Sequence, residues 1–207
     1  MYLDLFDRNP YGTNCWLLAA DGADQAVAID PGFDPDAVRA LLDREGKRLA
    51  AVLLTHAHLD HAGSAGTFAG DSPVYVHADD RSAFDDYARW GGSGETDLDR
   101  VRDLRTFVEG DRFDLGGYSI EVWHTPGHTP GSSCFRVTGE VVLFSGDLVF
   151  AGTIGRSDFA NSDPAAMVTS LGRFLTLPDD VRVLPGHGPE TSVGRERAGN
   201  PYLREAP

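Results

Sequence analysis

The sequence predicts an α/β protein in which helices cover β-sheets. Short apolar stretches bounded by turn residues indicate strands, and amphipathic stretches between and after them indicate helices. Four of the apolar stretches end in a turn that is followed by histidine or aspartate, which indicates that these side chains act together. Residues 1–207 contain no linker and no break in composition, so we expect a single domain.

The first part of the chain combines three predicted strands with one helix. The strands are predicted at residues 2–6, 13–20 and 25–29, and a turn at 9–12 joins the first two. Asp34 is expected to cap the helix, because aspartate accepts backbone N–H groups and Pro35 suits the first helical position. Gly46 is expected to end this helix.

The next predicted strand, at residues 50–54, leads into the sequence Thr-His-Ala-His-Leu-Asp-His at residues 55–61. These seven residues hold three imidazoles and one carboxylate, and we expect them in a loop past the strand's carboxyl end. The first two histidines can point the same way and hold one ion, while Asp60 and His61 can turn towards a second ion. Imidazole and carboxylate suit zinc, manganese or iron, and the spacing alone does not choose among these metals.

Beyond this motif the sequence pattern is weaker. A short helix is predicted near residues 63–68, a strand at 74–76 and a helical stretch at 79–90. The glycine-rich residues 91–95 predict a flexible loop. No strong pattern follows as far as residue 105.

The second half of the chain repeats one arrangement three times. Predicted strands at 118–123, 141–144 and 181–184 each give way to a glycine-containing turn and a ligand type. The ligand candidates in these turns are His128, Asp147 and His187. Glycine allows the backbone to turn sharply and to approach an ion closely. A helix capped by Asp163 is expected between the last two strands.

The composition excludes several function classes. The formal net charge is −14 and the isoelectric point is near 4.7, so we expect no nucleic-acid partner and no anionic membrane surface as a partner. The start of the sequence has neither a basic segment nor a long apolar stretch, and we expect no signal peptide and no membrane span. Only two cysteines are present, too few for a disulfide framework, and we expect a cytoplasmic protein with two buried thiols.

These motifs together resemble those of the metallo-β-lactamase superfamily and, within it, of the glyoxalase II-like hydrolases. The motifs that carry the resemblance are His56-x-His58-x-Asp60-His61, Thr-Pro-Gly-His128, Ser-Gly-Asp147 and Leu-Pro-Gly-His187. The resemblance covers nearly the whole chain. It implies a four-layer αββα sandwich in which two mixed β-sheets pack face to face, with helices on the outer faces and the site at one edge.

The resemblance also implies a set of metal ligands. His56, His58 and His128 would hold a first ion, and Asp60, His61 and His187 would hold a second. Asp147 would bridge the two ions, so the expected catalytic carboxylates are Asp60 and Asp147. The β-lactamases proper have no such bridging carboxylate, and Asp147 therefore points away from antibiotic hydrolysis.

The expected chemistry is the hydrolysis of a small thioester or ester. Two divalent ions that share a water molecule lower its pKa and yield a metal-bridging hydroxide, which would attack the carbonyl. The leading hypothesis is a dinuclear zinc thioesterase that acts on substrates such as S-lactoylglutathione. Iron and manganese are the alternative metals. The competing hypothesis is a mononuclear iron persulfide dioxygenase, a class that uses two histidines and one aspartate. We expect a monomer or a small homo-oligomer.

Three residues outside the ligand set have open roles. Asp30 resembles a carboxylate that orients a ligand imidazole, although a turn residue at a strand end is equally consistent. Arg156 and Asp158 are expected to form a buried ion pair that shapes the pocket. His124 is expected to be a packed or hydrogen-bonded histidine rather than a ligand, and His77 is expected to be a surface or core residue.

The thiol carrier is expected to contribute little to recognition. In full-length glyoxalase II the glutathione-binding groups lie largely in a helical region after the last metal ligand, whereas twenty residues follow His187 here. At about 1.5 Å per residue they can form one or two short helices. Residues 84–98 and 150–159 are expected to form the pocket walls instead.

Overall fold

The protein is described here by a computed structural model, which covers residues 1–204. Two six-stranded β-sheets form its centre. The first sheet is built from β1 (Tyr2–Phe6), β2 (Cys15–Ala19), β3 (Gln25–Ile29), β4 (Arg48–Leu53), β5 (Val74–His77) and β6 (Leu104–Phe107). These strands lie side by side in chain order. The first three pair antiparallel and the remaining pairs are parallel, so β3, β4 and β5 end at the same edge.

The second sheet contains most of the second half of the chain. Its strands are β7 (Arg112–Leu115), β8 (Tyr118–His124), β9 (Ser133–Val137), β10 (Val142–Gly146), β13 (Arg182–Pro185) and β14 (Thr191–Ser192). Their order is β14-β13-β10-β9-β8-β7, and β10 and β13 are parallel while the other pairs are antiparallel. A short hairpin, β11 (Val149–Phe150) and β12 (Thr153–Ile154), lies between β10 and the next helix.

Residues 1–204 contain six α-helices, of which five lie between strands and the last follows β14. They are α1 (Pro35–Arg44), α2 (Leu59–Ala62), α3 (Ala65–Ala69), α4 (Tyr87–Trp90), α5 (Pro164–Phe174) and α6 (Val193–Gly199). The 3₁₀ turns are Ala78–Phe84, Leu98–Arg100 and Pro201–Leu203. The two longest helices begin where the sequence predicts. Asp34 accepts the Ala37 N–H and Asp163 accepts two N–H groups of the first turn, and each cap is followed by proline.

Three layers of buried apolar residues hold the sheets and helices together. Trp16 and Leu53 of the first sheet face Phe135 and Phe144 of the second. On the outer face of the first sheet, the residues of β2 that point the other way pack against α1 and α3. On the outer face of the second sheet, α5 packs through Met167, Leu171 and Phe174. This arrangement confirms the predicted four-layer αββα sandwich with two mixed sheets.

The structure contains five strands that the sequence did not predict, namely β7, β9, β11, β12 and β14. It also differs from the predicted elements in the first half of the chain. The predicted helical stretch at 79–90 is divided into a 3₁₀ turn and the four-residue α4. The short helix near 63–68 is α3, and an additional turn, α2, precedes it within the ligand motif. The strand β6 lies partly in the segment where no pattern was apparent, because an edge strand with exposed polar residues does not alternate clearly.

No helix within residues 1–204 is both long enough and apolar enough to cross a membrane.

Candidate metal centre

All seven predicted ligand residues meet at one edge of the two sheets. Four come from the segment after β4, and the others follow β8, β10 and β13. Their ligand atoms form three overlapping groups, each with all atoms within 4.8 Å of one another. The groups are His56, His58 and His128; His56, His61 and Asp147; and Asp60, His61 and His187. The first and third groups match the two ligand sets that the resemblance implies.

The motif at residues 55–61 is only partly a loop, contrary to the prediction. His56 lies just beyond β4, and His58 has extended backbone at the start of α2. Asp60 and His61 lie within α2 itself. Extended backbone lets residues two apart face the same way, whereas the helical turn brings the next two side chains close to His187. The change of backbone conformation at His58 therefore divides the motif between the two groups.

The histidines that face the centre are held through their outer nitrogens. His61 Nδ1 lies 2.9 Å from Asp30 Oδ2, and His128 Nδ1 lies 2.7 Å from the Arg156 carbonyl. His187 Nδ1 lies 3.3 Å from the Gly12 carbonyl. Because these oxygens accept hydrogen bonds, each Nδ1 donates its proton and each Nε2 presents a lone pair to the centre.

Asp30 also orients the remaining part of the motif. Its carboxylate accepts the Thr55 N–H at 2.8 Å and the Thr55 hydroxyl at 2.7 Å. The same hydroxyl oxygen lies 3.1 Å from His56 Nδ1 and can accept its proton. Asp30 is a left-handed residue at the end of β3, with a φ of 53°, so it both turns the chain and orients two imidazoles.

The turn that carries His187 is fixed by the start of β2. The Asn14 side chain donates to the Pro185 carbonyl at 2.9 Å and to the Gly188 carbonyl at 2.8 Å. The Asn14 N–H donates to the Gly186 carbonyl at 2.7 Å. These bonds join the first sheet to the second next to the cluster of candidate ligands.

The pKa values of the cluster residues are shifted in different directions. Burial lowers the pKa of His56 well below its ordinary value. Burial and, as a smaller cause, the charge of the neighbouring His128 lower the pKa of His58 to about 3. Burial alone would raise the pKa of Asp60 and Asp147, but neighbouring histidines outweigh it and both pKa values are lowered. The same carboxylates raise the pKa of His61 and His187 against the effect of burial. Two neutral imidazoles and two ionised carboxylates are thus presented as ligands.

Two buried atoms test whether this donor set fits a metal. His56 Nε2 and Asp147 Oδ1 are buried and have no hydrogen-bond partner among residues 1–204. Buried polar atoms in native proteins are nearly always paired, whereas an imidazole nitrogen and a carboxylate oxygen are ordinary ligands of zinc and related cations. The cluster of histidine and aspartate is therefore suited to divalent metal ions.

Asp147 lies between the two groups of histidines. Its Oδ1 is 3.3 Å from His61 Nε2, while its Oδ2 is 3.4 Å from His128 Nε2 and 3.7 Å from His187 Nε2. The side chain is 9% exposed. Because its two oxygens face different imidazoles, this carboxylate can contact two ions at once.

His77, Asp79 and His124 form a further group of ligand-type side chains. The two imidazole rings are stacked with their centroids 3.9 Å apart and an angle of 12° between their planes. Imidazole lone pairs lie in the ring plane, so two stacked rings cannot direct them at one ion. His124 Nε2 also lies 2.8 Å from the Pro130 carbonyl, to which it donates. These histidines are packed and hydrogen-bonded, in agreement with the sequence.

A cavity of about 340 Å³ adjoins the cluster. Its walls come from residues 87–93 and 150–159, which lie in the two predicted stretches, and also from Tyr11 and Leu59. Arg156 and Asp158 form the predicted ion pair, with nitrogen–oxygen distances of 2.8 and 3.0 Å. The prediction that this pair is buried is wrong, because the side chains are 66% and 68% exposed. Both extend from a surface loop at the mouth of the cavity, where water solvates the charged ends.

Some contributors to the site were not apparent from the sequence. The Tyr87 hydroxyl accepts the Leu59 N–H at 2.7 Å at the start of α2. Asp80 accepts the N–H of Ala57, which lies between two candidate ligand histidines, at 3.1 Å. Asp80 follows the end of β5, just as the ligands follow other strands, and this position was the signal that could have identified it.

Comparisons with known proteins agree with this geometry. Residues 8–187 match the profile of the metallo-beta-lactamase superfamily. The chain belongs to this superfamily. Among curated relatives, the probable metallo-hydrolase YqgX of Bacillus subtilis is 36% identical and the alignment covers 94% of this chain and 93% of YqgX. Hydroxyacylglutathione hydrolase GloC of Haemophilus influenzae is 32% identical, with 98% of each chain covered.

Solved structures show the same fold. BLEG-1, a B3 metallo-beta-lactamase, has a TM-score of 0.83 and 33% identity, covering 98% of this chain and 99% of BLEG-1. TTHA1623, solved in a di-iron-bound form, has a TM-score of 0.82 and 38% identity, and the match covers 98% of this chain and 100% of TTHA1623. ETHE1 from Myxococcus xanthus has a TM-score of 0.80 and 26% identity, and the match covers 98% of this chain and 84% of ETHE1. The protein is thus a metallo-hydrolase of this superfamily.

Proposed function

We propose that the protein is a dinuclear thioesterase of the hydroxyacylglutathione hydrolase type, with zinc as its metal and small S-acyl thioesters such as S-lactoylglutathione as substrates. His56, His58 and His128 would hold one ion, and Asp60, His61 and His187 would hold the other. The observation that supports this proposal most directly is the position of Asp147, whose two oxygens face both groups of imidazoles. The 32% identity to GloC favours a thioester over other acyl substrates.

Two bound divalent cations would supply an activated water molecule and would polarise the substrate carbonyl. The protein's own residues hold the ligands in place for this chemistry. The outer nitrogens of three imidazoles donate hydrogen bonds to the Asp30 carboxylate and to the carbonyls of Arg156 and Gly12. The inner nitrogens of these imidazoles therefore remain available as ligands. No serine or cysteine nucleophile is needed in this scheme.

The cavity supports a substrate with an apolar body. Phe150, Ile154 and Phe159 line one side, and Tyr11 and Leu59 line another. Apolar walls remove water from the reacting carbonyl and strengthen electrostatic interactions there. A thiolate leaves readily because the pKa of a thiol is about 8.5, so no general acid has to be placed opposite the metals.

A mononuclear iron persulfide dioxygenase is the second candidate. The similarity to ETHE1 of Myxococcus xanthus supports it, at 26% identity. The similarity to TTHA1623 in its di-iron-bound form supports iron without supporting a single ion. The seven ligand candidates form overlapping groups whose ligand atoms lie within 4.8 Å of one another, which favours two ions over one, and the hydrolase is therefore our first proposal.

The test combines metal content with two assays. Protein purified without added metal is expected to contain two ions per chain, and to hydrolyse S-lactoylglutathione with release of free thiol. Consumption of oxygen with glutathione persulfide, together with one iron per chain, would instead establish the dioxygenase. Asp71→Ala is a suitable control variant because its side chain is 87% exposed on the surface, and it should leave both measurements unchanged.

A further inference from the structure

Asp80 is a completely buried carboxylate that the proposed ligand set does not use. Its exposed fraction is 0%, and it lies in the 3₁₀ turn that follows β5. Aspartate is rarely buried to this extent unless its oxygens are paired, so its contacts indicate its purpose.

Three donors from two separate segments converge on this carboxylate. Oδ2 accepts the Ala57 N–H at 3.1 Å and the Thr129 hydroxyl at 2.7 Å. Oδ1 accepts the Gly131 N–H at 2.7 Å. One carboxylate therefore links the segment after β4 to the segment after β8.

Both linked segments carry proposed ligands of the same ion. Ala57 lies between His56 and His58, and Thr129 directly follows His128. Two of the three residues that donate to Asp80, Ala57 and Thr129, are thus directly next to proposed ligands in the chain, and Gly131 lies three positions after His128. The hydrogen bonds to Asp80 come from these residues and not from the imidazoles. A change in the position of Asp80 would therefore alter the distance from His56 and His58 to His128.

The packing around Asp80 leaves little freedom for this link. A β-carbon at Gly131 would lie 2.7 Å from Asp80 Cγ and 2.9 Å from its backbone nitrogen, so only glycine permits the approach. Burial raises the pKa of Asp80 to about 6, although its three hydrogen bonds act in the opposite direction. Desolvation of this carboxylate opposes folding, which makes a role in the site a better reason for its presence than stability.

We propose that Asp80 is a positioning residue for the ion held by His56, His58 and His128, since it fixes the separation of the two segments that carry these ligands. Asp30 acts on the other side of the centre, where it contacts His61 directly. The proposal rests on the ligand assignment of the proposed function, but it is independent of the thioester reaction.

Two substitutions should give a graded response. Asp80→Asn keeps the shape, and its amide oxygen can still accept the Ala57 and Thr129 donors. Its amide N–H₂ would then face the Gly131 N–H, donor against donor, so one of three bonds is lost. Asp80→Ala loses all three. Asp79→Asn is the matched control, because the neighbouring Asp79 side chain is 58% exposed.

The experiment measures zinc affinity in two backgrounds, starting from metal-free protein and using a competing chelator. The first background, Asp60→Ala with His187→Ala, retains the three histidines of the proposed first ion. Here Asp80→Asn should weaken zinc binding at least tenfold and Asp80→Ala more, while Asp79→Asn has no effect. The second background, His58→Ala with His128→Ala, retains the other ligand set. Here Asp80→Asn should leave the zinc affinity within twofold of the parent.

Three other results of the zinc titration would contradict the proposal. Equal losses of zinc affinity in both backgrounds would show general structural damage, and unchanged affinity in both would show that Asp80 does not position ligands. A first background that binds no zinc would refute the ligand assignment and this proposal with it. Failure to hydrolyse thioesters would overturn the proposed substrate alone, because the zinc titration involves no substrate.

Discussion

A single methyl group at Gly186 should disturb the metal centre while leaving the fold intact. Gly186 precedes His187, and its N–H donates to the Gly146 carbonyl at 2.9 Å. A β-carbon there would overlap Asp147 Oδ1, and it would lie 2.6 Å from His61 Cε1 and 3.2 Å from the backbone of Gly146. Asp147 and His61 are both buried, so neither side chain can move away freely.

The expected magnitude follows from the cost of overpacking. Forcing one extra methyl group into a packed site costs about 1–3 kcal/mol. The strain at Gly186→Ala falls on Asp147 and His61, which belong to the proposed ligand set, and it should therefore appear mainly in ion binding. Since about 1.4 kcal/mol corresponds to a factor of ten, zinc affinity should fall by roughly 10- to 100-fold. The rate of thioester hydrolysis should fall with it.

Gly199→Ala is the matched control. Gly199 lies at the end of α6, has no unusual φ, and a β-carbon there would meet no atom within 4 Å. Alanine is favoured over glycine in helices by up to about 1 kcal/mol, so this variant should keep its zinc affinity and unfold at the same or a higher temperature. Zinc titration and thermal unfolding of the metal-free proteins provide the comparison. Wild-type zinc affinity and rate in Gly186→Ala would refute the reasoning.

Two other predictions concern the bridge and the substrate. Asp147→Ala should bind one ion fewer per chain and lose at least about 100-fold in hydrolysis, because a ligand contributes more than the 10- to 100-fold typical of its supporting contacts. Two ions per chain and near-normal turnover would contradict this role. S-lactoylglutathione should exceed matched lactoyl thioesters of other small thiols by no more than about tenfold in kcat/KM, or roughly 1.4 kcal/mol. The structural reason is that Arg156, the one arginine or lysine among the described cavity residues, is already paired with Asp158. A thousandfold preference for glutathione would contradict it.

The strands and helices that could be predicted from the sequence are those with a clear local sequence pattern. The strand at 25–29 and the start of α1 at Pro35 occur as predicted, since an apolar run and an Asp-Pro cap are local signals. The edge strands β6 and β7 lack such signals. Arg105, Arg112 and Asp114 point to solvent there, as charged residues do on strands that must not pair with other chains.

The number of sheets is a different kind of information. Every residue of β2 is buried, with Trp16 and Leu18 facing the second sheet and Leu17 facing the helices. A strand that is buried on both faces shows no alternation, so its sequence does not reveal what covers it. Only the resemblance to a known family supplied the two-sheet architecture.

The candidate ligands were predictable in the same sense, whereas the groups that support them were not. Each candidate follows a strand and a turn, which is a local pattern. The acceptors that hold the outer nitrogens include the carbonyls of Gly12 and Arg156, and a backbone carbonyl has no sequence signature. Asp80 is linked to its partners at Ala57 and Gly131 over 23 and 51 positions of the chain. Such contacts exist only after the sheets have packed.

The two ion-binding groups should also differ in their response to pH. A histidine must lose its proton before it can bind a metal. Asp147 and Asp60 raise the pKa of His61 against the effect of burial, and the hydrogen bond that His187 donates to Asp60 contributes to the raised pKa of His187. Protons therefore compete with the ion of this group at pH values above the ordinary histidine pKa of 6.5. Burial gives His56 and His58 lowered pKa values, so protons compete with their ion only in more acidic solution.

Acidification should therefore release the two ions in sequence. We expect protein loaded with two zinc ions at pH 8 to lose the ion of Asp60, His61 and His187 first as the pH falls, and to retain the ion of His56 and His58 to a lower pH. Metal analysis after equilibration with a fixed chelator at each pH gives the two release curves. His187→Ala identifies the first curve, since this variant should lack it and keep the second. Both curves are measured on the same chain and can be compared directly. Release of both ions at the same pH, or loss of the second curve in His187→Ala, would show that the carboxylates do not give the two groups different responses to pH.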